Sequence, residues 1–307
     1  MTAVDLDDFL ADIDKSVSVE LGTNPDVIDS GHSLDVEKLP IEARTWHRLT
    51  DAVAVVADMR NSTQLGVNKY PQSTASIYQA STGNIAQVFD KFDADFVAIQ
   101  GDGAFGLFWG DHRYARAICA GITIKTFSYR YLVPRLEKRW PDLPETGLKV
   151  GLAASPLLVK RVGVPRTKHQ EPVWAGKAVN YAAKAAQQAD RHQMIVAGSI
   201  WDWANKSDYL AATCGCDGAP STSIWEDVTI AKIPDDDGER EGKLLKSYWC
   251  VVHGNEFCNA VLAGKRTRAD VTKLHQEAIK AEYAKALRVN AARQREEHRA
   301  RINGMRQ

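Results

Sequence analysis

The sequence predicts helices laid over a β-sheet, an α/β or α+β fold, and three observations carry that reading. A continuous apolar run, Asp51-Ala-Val-Ala-Val-Val-Ala-Asp58, suits a buried strand that ends in a carboxylate. Phe96 to Phe108 reads as two strands about a tight turn at Gly101-Asp102-Gly103, since Asp-Gly tolerates the positive φ angles that hairpin turns need. From Pro71 to Phe92, Ile77, Ile85, Val88, Phe89 and Phe92 recur at roughly helical spacing, with Pro71 suited to a first turn. Strand and helix therefore alternate along the chain.

The other elements follow in order. Residues 1 to about 45 form an acidic N-terminal extension, with a short amphipathic stretch in which Phe9, Leu10, Ile13 and Val17 recur at helical spacing. After the hairpin come a long helix from about His112 to Arg139, a Pro-flanked loop from Trp140 to Gly147, and an apolar strand from Leu148 to Ala154. Gly176 to Ala189 is an Ala-rich helix that places Asn180 and Lys184 four residues apart on one face. From Lys265 to Arg306 the chain carries 12 Lys and Arg against 5 Asp and Glu and no Pro, a charged C-terminal helix with a weak apolar stripe through Val271, Leu274, Ala278, Tyr283 and Leu287.

Composition excludes several classes. A chain of 307 residues, 44% hydrophobic and 25% charged, has the makings of a full core and needs no disulfide staples. Its 39 basic and 39 acidic residues cancel, which removes the global basic excess of a nucleic-acid coat, so nucleic acid is not the expected partner. With no basic-then-apolar leader and no run of about 18 apolar residues, a cytoplasmic protein without a membrane partner is expected. Cys119, Cys214, Cys216, Cys250 and Cys258 are odd in number, against a disulfide framework. Cys214 and Cys216 stand one residue closer than a usual zinc knuckle, so ordinary packing is expected of the thiols, although Cys250, His253 and Cys258 could join them around a structural zinc.

Two carboxylates, Asp58 at a strand end and Asp102 at a hairpin tip, lie side by side if their strands are neighbours. Such a pair can share hard divalent cations, magnesium or manganese, and leave positions for phosphate and water. The residues around them resemble the class III nucleotidyl cyclase catalytic domain at three separated places: Ala-Asp58-Met-Arg-Asn-Ser-Thr63, Gln100-Gly-Asp102-Gly103, and Trp174-Ala-Gly-Lys-Ala-Val-Asn180-Tyr-Ala-Ala-Lys184. The resemblance covers roughly residues 50 to 255. It implies an α+β, ferredoxin-like sheet covered by helices, with an extension over 1–45, the cyclase domain over 46–262 and a charged helical extension over 263–307.

The same resemblance implies the roles. Asp58, Asp102 and the Met59 carbonyl would hold two divalent metal ions, the Ser62 and Thr63 amides would meet the triphosphate, Asn180 would orient the ribose, and Lys184 would stand in for the transition-state arginine. One copy of each motif implies a homodimer with two shared sites. A Gly-Arg expected after the central strand is replaced by Ser155-Pro156, and the C-terminal phosphate-binding lysine is either Lys243 or Lys246.

Positions that read a purine base in this family are Ala98 and Val173 here, neither able to hydrogen-bond a purine edge. In this the chain resembles the pyrimidine cyclases of Pycsar antiphage systems. The resemblance implies conversion of UTP to 3′,5′-cyclic UMP and pyrophosphate, sensed by a separate effector protein. Tyr70, in the stretch Asn68-Lys-Tyr70, is a candidate for narrowing the base pocket. A cytidylate cyclase, a purine cyclase with an unusual pocket, and a non-catalytic nucleotide-binding or dimerising domain are the alternatives.

Overall fold

The computed structural model describes residues 4–40, 44–67, 69–164, 167, 169–216, 218–222 and 224–304, with side chains described as far as residue 289. Its centre is a β-strand, β2 (Thr45–Met59), flanked by α1 (Leu6–Gly22) and β1 (Asp26–Gly31) before it and by α2 (Pro71–Tyr78) and α3 (Asn84–Lys91) after it. The hairpin β3 (Phe96–Gln100) and β4 (Gly103–Phe108) leads to α4 (Arg113–Phe127) and α5 (Val133–Arg139). Next come β5 (Leu148–Gly163), β6 (Gln170–Gly176), α6 (Lys177–Gln188), β7 (Met194–Val196), α7 (Gly198–Ala204) and α8 (Asp208–Ala211). Strands β8 (Trp225–Thr229) and β9 (Glu241–Leu245) and helices α9 (Gly254–Leu262) and α10 (Ala269–Gly304) complete the chain.

The strands form one sheet in the order β3-β4-β2-β5-β7-β9-β8, with β1 pairing β2 and β6 pairing β5 outside that path. Most pairs are antiparallel, β1 on β2 and β5 on β7 being the parallel ones, so the fold is α+β. Within it, β2, the α2–α3 segment, β3, β4, α4 and β5 make a β-α-β-β-α-β unit, which gives the ferredoxin-like core.

Alternation along β2 divides the interior in two. Val53, Val55, Ala57 and Met59 face α3 and α4, where they pack with Ile85, Phe89, Ile118 and Ile122. Ala52 and Ala54 face α6, where they meet Ala178, Ala182 and Ala185. The second layer is thin because α6 lies directly on β5: a Cβ added to Gly151 would stand 2.1 Å from the Ala182 carbonyl oxygen and 2.3 Å from the Ala186 amide nitrogen. Alanines on the helix and glycine on the strand are what that approach requires.

Several elements differ from the sequence expectation for identifiable reasons. The strand expected to stop at Ala154, before Pro156, continues to Gly163. Pro156 faces the irregularity in β2 between Leu49 and Ala52, where the ladder slips and no amide is needed. Both long helices are interrupted by π-turns, at Gln79–Gly83 and Ser128–Leu132. The second turn aims the Ser128 hydroxyl inward, where it accepts from the Leu148 amide at 2.8 Å and meets His192 Nδ1 at 2.9 Å. Inside the region read as an extension, β1 adds a parallel strand to β2, while Phe9, Leu10, Ile13 and Val17 of α1 are exposed. Of the C-terminal stripe, Val271 is buried against the body, whereas Tyr283 and Leu287 are exposed.

Cys119 is buried and donates weakly to the Cys258 carbonyl, as packing thiols do. Cys214, Cys216 and Cys250 depart from that expectation, because they converge with His253. Lys125, 1% exposed, donates to the Leu245 and Ser247 carbonyls at 2.6 and 2.9 Å, and burial lowers its pKa to about 7. Among the described residues no helix is long and apolar enough to cross a membrane.

Two outcomes are expected. Gly151→Ala should destabilise the fold by about 3 kcal/mol, since the methyl meets backbone rather than a yielding side chain; a chemical denaturation midpoint equal to that of the unsubstituted chain would refute the close approach. Burial, with the Arg191 charge, pushes the His192 imidazole down to about 4. A folded-state pKa below the unfolded value means that stability is complete above about pH 6.5 and is lost as the pH falls toward 4. Thermal midpoints across that range should fall more steeply for the unsubstituted chain than for His192→Gln, and equal slopes would discount the role of His192.

Candidate active site

The two carboxylates are brought together by register. Ala57 on β2 pairs with Ala104 on β4, which puts the next residues outward, Asp58 and Gly103, side by side. The hairpin has a two-residue connection, Gly101-Asp102, and the positive φ falls on Gly101, at +62°. Gly103 is glycine for another reason: a Cβ there would lie 2.7 Å from the Ala57 carbonyl oxygen and 3.4 Å from Asp58 Oδ1. Asp102, at the tip, is thus held next to the end of β2.

Asp58 Oδ2 receives the Lys149 ammonium at 2.8 Å, across the pair that β2 and β5 make at that level. Lys149 is the one charge in the otherwise apolar run Leu148 to Ala154, and that lone charge was the signal for it in the sequence. Beyond Asp58 the chain leaves the sheet through Met59, whose side chain is buried, so only its carbonyl is left for a ligand. Arg60 pairs with Asp190 and with Glu145, and Asn61, at φ +58°, donates from Nδ2 to the Glu145 carbonyl at 2.8 Å. These anchors fix a short 3-10 turn, Ser62–Gln64, whose first amides have no partners within the turn.

Beside Asp58 is a cavity of about 390 Å³ on the α6 side of the sheet. Val56, Phe105, Pro172, Trp174 and Val179 supply its apolar walls, with Gln100 and Gln187 among the polar groups. The Trp174 ring is wedged against Phe96, at 4.9 Å between centroids, and against Trp109, at 5.6 Å. Its Nε1–H is buried and has no acceptor among the described residues, a feature that the sequence reading did not single out.

The other expected site residues are placed as follows. Ala98 pairs with Phe105 across the hairpin and shares its face, next to the cavity wall. Val173 lies between Pro172 and Trp174 but on the outer side of β6, 42% exposed, and does not line the cavity of one chain. Tyr70 is 80% exposed at the start of α2, while Asn68 lies outside the described residues. Asn180 is exposed, with Nδ2 donating to the Gly176 carbonyl at 3.2 Å, and Lys184 rests 5.1 Å above the Tyr181 ring. Both stand on the face of α6 next to the one that lines the cavity through Val179 and Ala183.

Gly176, at the junction of β6 and α6, has φ +154°, and a Cβ there would meet the Pro156 carbonyl oxygen at 2.7 Å. Ser155, where an arginine-bearing pair was expected, accepts from the Ala178 amide at 2.8 Å and so caps α6. Lys243 and Lys246 are far across the sheet and are held by Asp227 and Glu226 of β8. The donor set at the end of β2, two carboxylates with a main-chain carbonyl, consists of hard oxygens and suits magnesium or manganese.

The chain matches no protein-family profile. A uridylate cyclase from Micromonospora echinofusca is 64% identical over 305 residues, 99% of this chain and 100% of that protein. A uridylate cyclase from Propioniciclava tarda is 46% identical over 264 residues, 85% of each chain. Among solved structures, the adenylyl cyclase CyaB from P. aeruginosa superposes with a TM-score of 0.50 at 12% identity, covering 65% of this chain and 93% of that one, a likeness of fold. With relatives of such identity along nearly its whole length, this chain belongs to the family of nucleotidyl cyclases that those uridylate cyclases represent, built on the class III cyclase fold.

Proposed function

We propose that this cyclase converts UTP to 3′,5′-cyclic UMP and pyrophosphate at sites shared by two copies of the chain, as a signal in antiphage defence read by a separate effector. The observation that carries the reaction is the placing of Asp58 beside the Asp102 hairpin at the mouth of an apolar cavity. The names of the relatives from Micromonospora echinofusca and Propioniciclava tarda support uridine as the base. Ala98 and the apolar walls support it as well, since they offer a purine edge no partner.

In the reaction the ribose 3′-oxygen loses its proton and forms a bond to the α-phosphorus, while the bond from that phosphorus to the β-phosphate oxygen breaks and pyrophosphate leaves in line. Two divalent ions, magnesium or manganese, held by Asp58, Asp102 and the Met59 carbonyl, would supply charge neutralisation and ease that deprotonation. The Ser62 and Thr63 amides receive the triphosphate as N–H donors. Lys149 pairs with Asp58 Oδ2 and leaves Oδ1 for the cation.

Asn180 and Lys184 face outward in a single chain, which favours their serving a second copy's carboxylates, the ribose being oriented by the amide and the transition-state charge being met by the ammonium. The arm made by β5 and β6 presents Val162, Val164 and Val173 to solvent, apolar surface of the kind a dimer contact covers.

Incubated with manganese and each nucleoside triphosphate separately, the purified chain should make a cyclic monophosphate from UTP, read by mass. A product from CTP, ATP or GTP in its place would overturn the base assignment. Asp58→Asn and Asp102→Asn should each lower turnover on the order of 10³-fold, several kcal/mol of transition-state stabilisation. Neither inactive Asp58→Asn nor inactive Lys184→Ala should turn over alone, yet an equal mixture should regain about a quarter of full activity, because half the dimers then carry one intact site. A mixture as inactive as its components would count against shared sites.

A further inference from the structure

Four side chains from two loops meet at the far side of the sheet. Cys214 and Cys216 follow α8, and Cys250 and His253 precede α9. One ligand atom from each lies within 4.8 Å of all the others. Cys216 Sγ is 3.6 Å from Cys250 Sγ and 3.1 Å from His253 Nδ1, and Cys250 Sγ is 4.0 Å from that nitrogen. A sulfur separation of 3.6 Å is far longer than a disulfide bond of about 2.05 Å. It is close to the edge of a tetrahedron, about 3.8 Å, whose centre lies about 2.3 Å from each sulfur, the usual zinc–sulfur distance.

The backbone is arranged for the same end. Gly215 has φ +74°, and a Cβ there would press on the Gly218 carbonyl oxygen at 3.0 Å, so glycine lets the chain turn within Cys-x-Cys. That turn overcomes the short spacing that argued against a zinc knuckle in the sequence. The amides of His253 and Val252 aim at Cys250 Sγ, the donors that a metal-bound thiolate takes from its surroundings. His253 stands at the N-cap of α9 with its ring 5.8 Å from Phe257, which fixes the imidazole plane. Cys258, the fifth cysteine, points elsewhere, to Cys119.

We propose that Cys214, Cys216, Cys250 and His253 bind a structural zinc ion that fastens the loop after α8 to the start of α9. Three thiolates and an imidazole are soft donors, and four protein ligands leave no open position for a substrate. The site is three strands away from Asp58 in the order β2-β5-β7-β9, separate in place and in donor chemistry from the oxygen ligands of the reaction. Cys216 is exposed and gives the ion a route from solvent.

The test is elemental analysis of the full-length chain, purified under reducing conditions and dialysed against a mild chelator to clear oxygen-liganded ions. About one zinc per chain is expected in the unsubstituted protein and in Asp58→Asn, with loss of that zinc in Cys250→Ser and in His253→Ala. Cobalt added to metal-stripped, unsubstituted chain should give thiolate-to-cobalt charge-transfer and tetrahedral ligand-field absorption, a signature that carboxylate ligands cannot produce and that needs no variant to fold. Absence of both zinc and the cobalt bands, retention of zinc by both substituted chains, or a mass two hydrogens lower with a disulfide among the three cysteines would each overturn the proposal.

Discussion

The contact of α6 with β5 at Gly151 is the constraint on which most of the molecule depends. With Ala182 and Ala186 resting on a residue that has no side chain, the helix sits as near to the strand as backbone allows. Its rotation is then fixed, because only its alanine face can make that approach. Val179 and Ala183 are thereby turned to the cavity, and Asn180 and Lys184 to its edge. Ser155 and Gly176 secure the same helix at its start, one as a cap and the other by allowing β5 and β6 to cross closely. The residues at the cavity are thus positioned by a face that contains almost no side-chain atoms.

At the other end of the site, strand register does the corresponding work. Nothing in Asp58 or Asp102 alone determines their separation; it follows from the pairing of Ala57 with Ala104 and from the missing side chain at Gly103. Lys149 belongs to the same register, across β2 from the hairpin. The end that carries Asp58 therefore rests on β2, which has a neighbour on each side, while the turn after it is tied down by Arg60 and Asn61. Rigid carboxylates beside an anchored loop suit a reaction in which positioning supplies much of the rate.

The sequence disclosed those parts whose chemistry is local. Apolar runs, the Gly-Asp-Gly turn and the Ala-rich helix were legible because periodicity and turn residues act over a few positions. Hidden were features that need two distant segments at once. Lys149 becomes a partner of Asp58 only when β2 and β5 are aligned, and Pro156 is tolerated in a strand only because β2 slips opposite it. The buried Trp174 N–H, without an acceptor among the described residues, also gave no sign in the sequence. Likewise Cys-x-Cys read as too tight for a metal until the left-handed Gly215 between the thiols showed how it turns. Val173, a base-reading position by resemblance, lies on the outer side of β6 because neighbours in a strand alternate, a placing that the sequence alone did not give.

The 16 residues of β5 have a mechanical consequence. At about 3.3 Å per residue the strand is a rod of roughly 50 Å, gripped by β2 from Leu148 to Val159 and by β7 from Val150 to Leu152, and paired with β6 from Leu157 to Gly163 in the arm. Lys149 and Gly151 ride on the gripped end and Val162 on the end beyond β2, with the bulge opposite Pro156 between them. A load on the arm is therefore borne by the same covalent backbone that sets the helix and the carboxylate, with no intervening loop to absorb it.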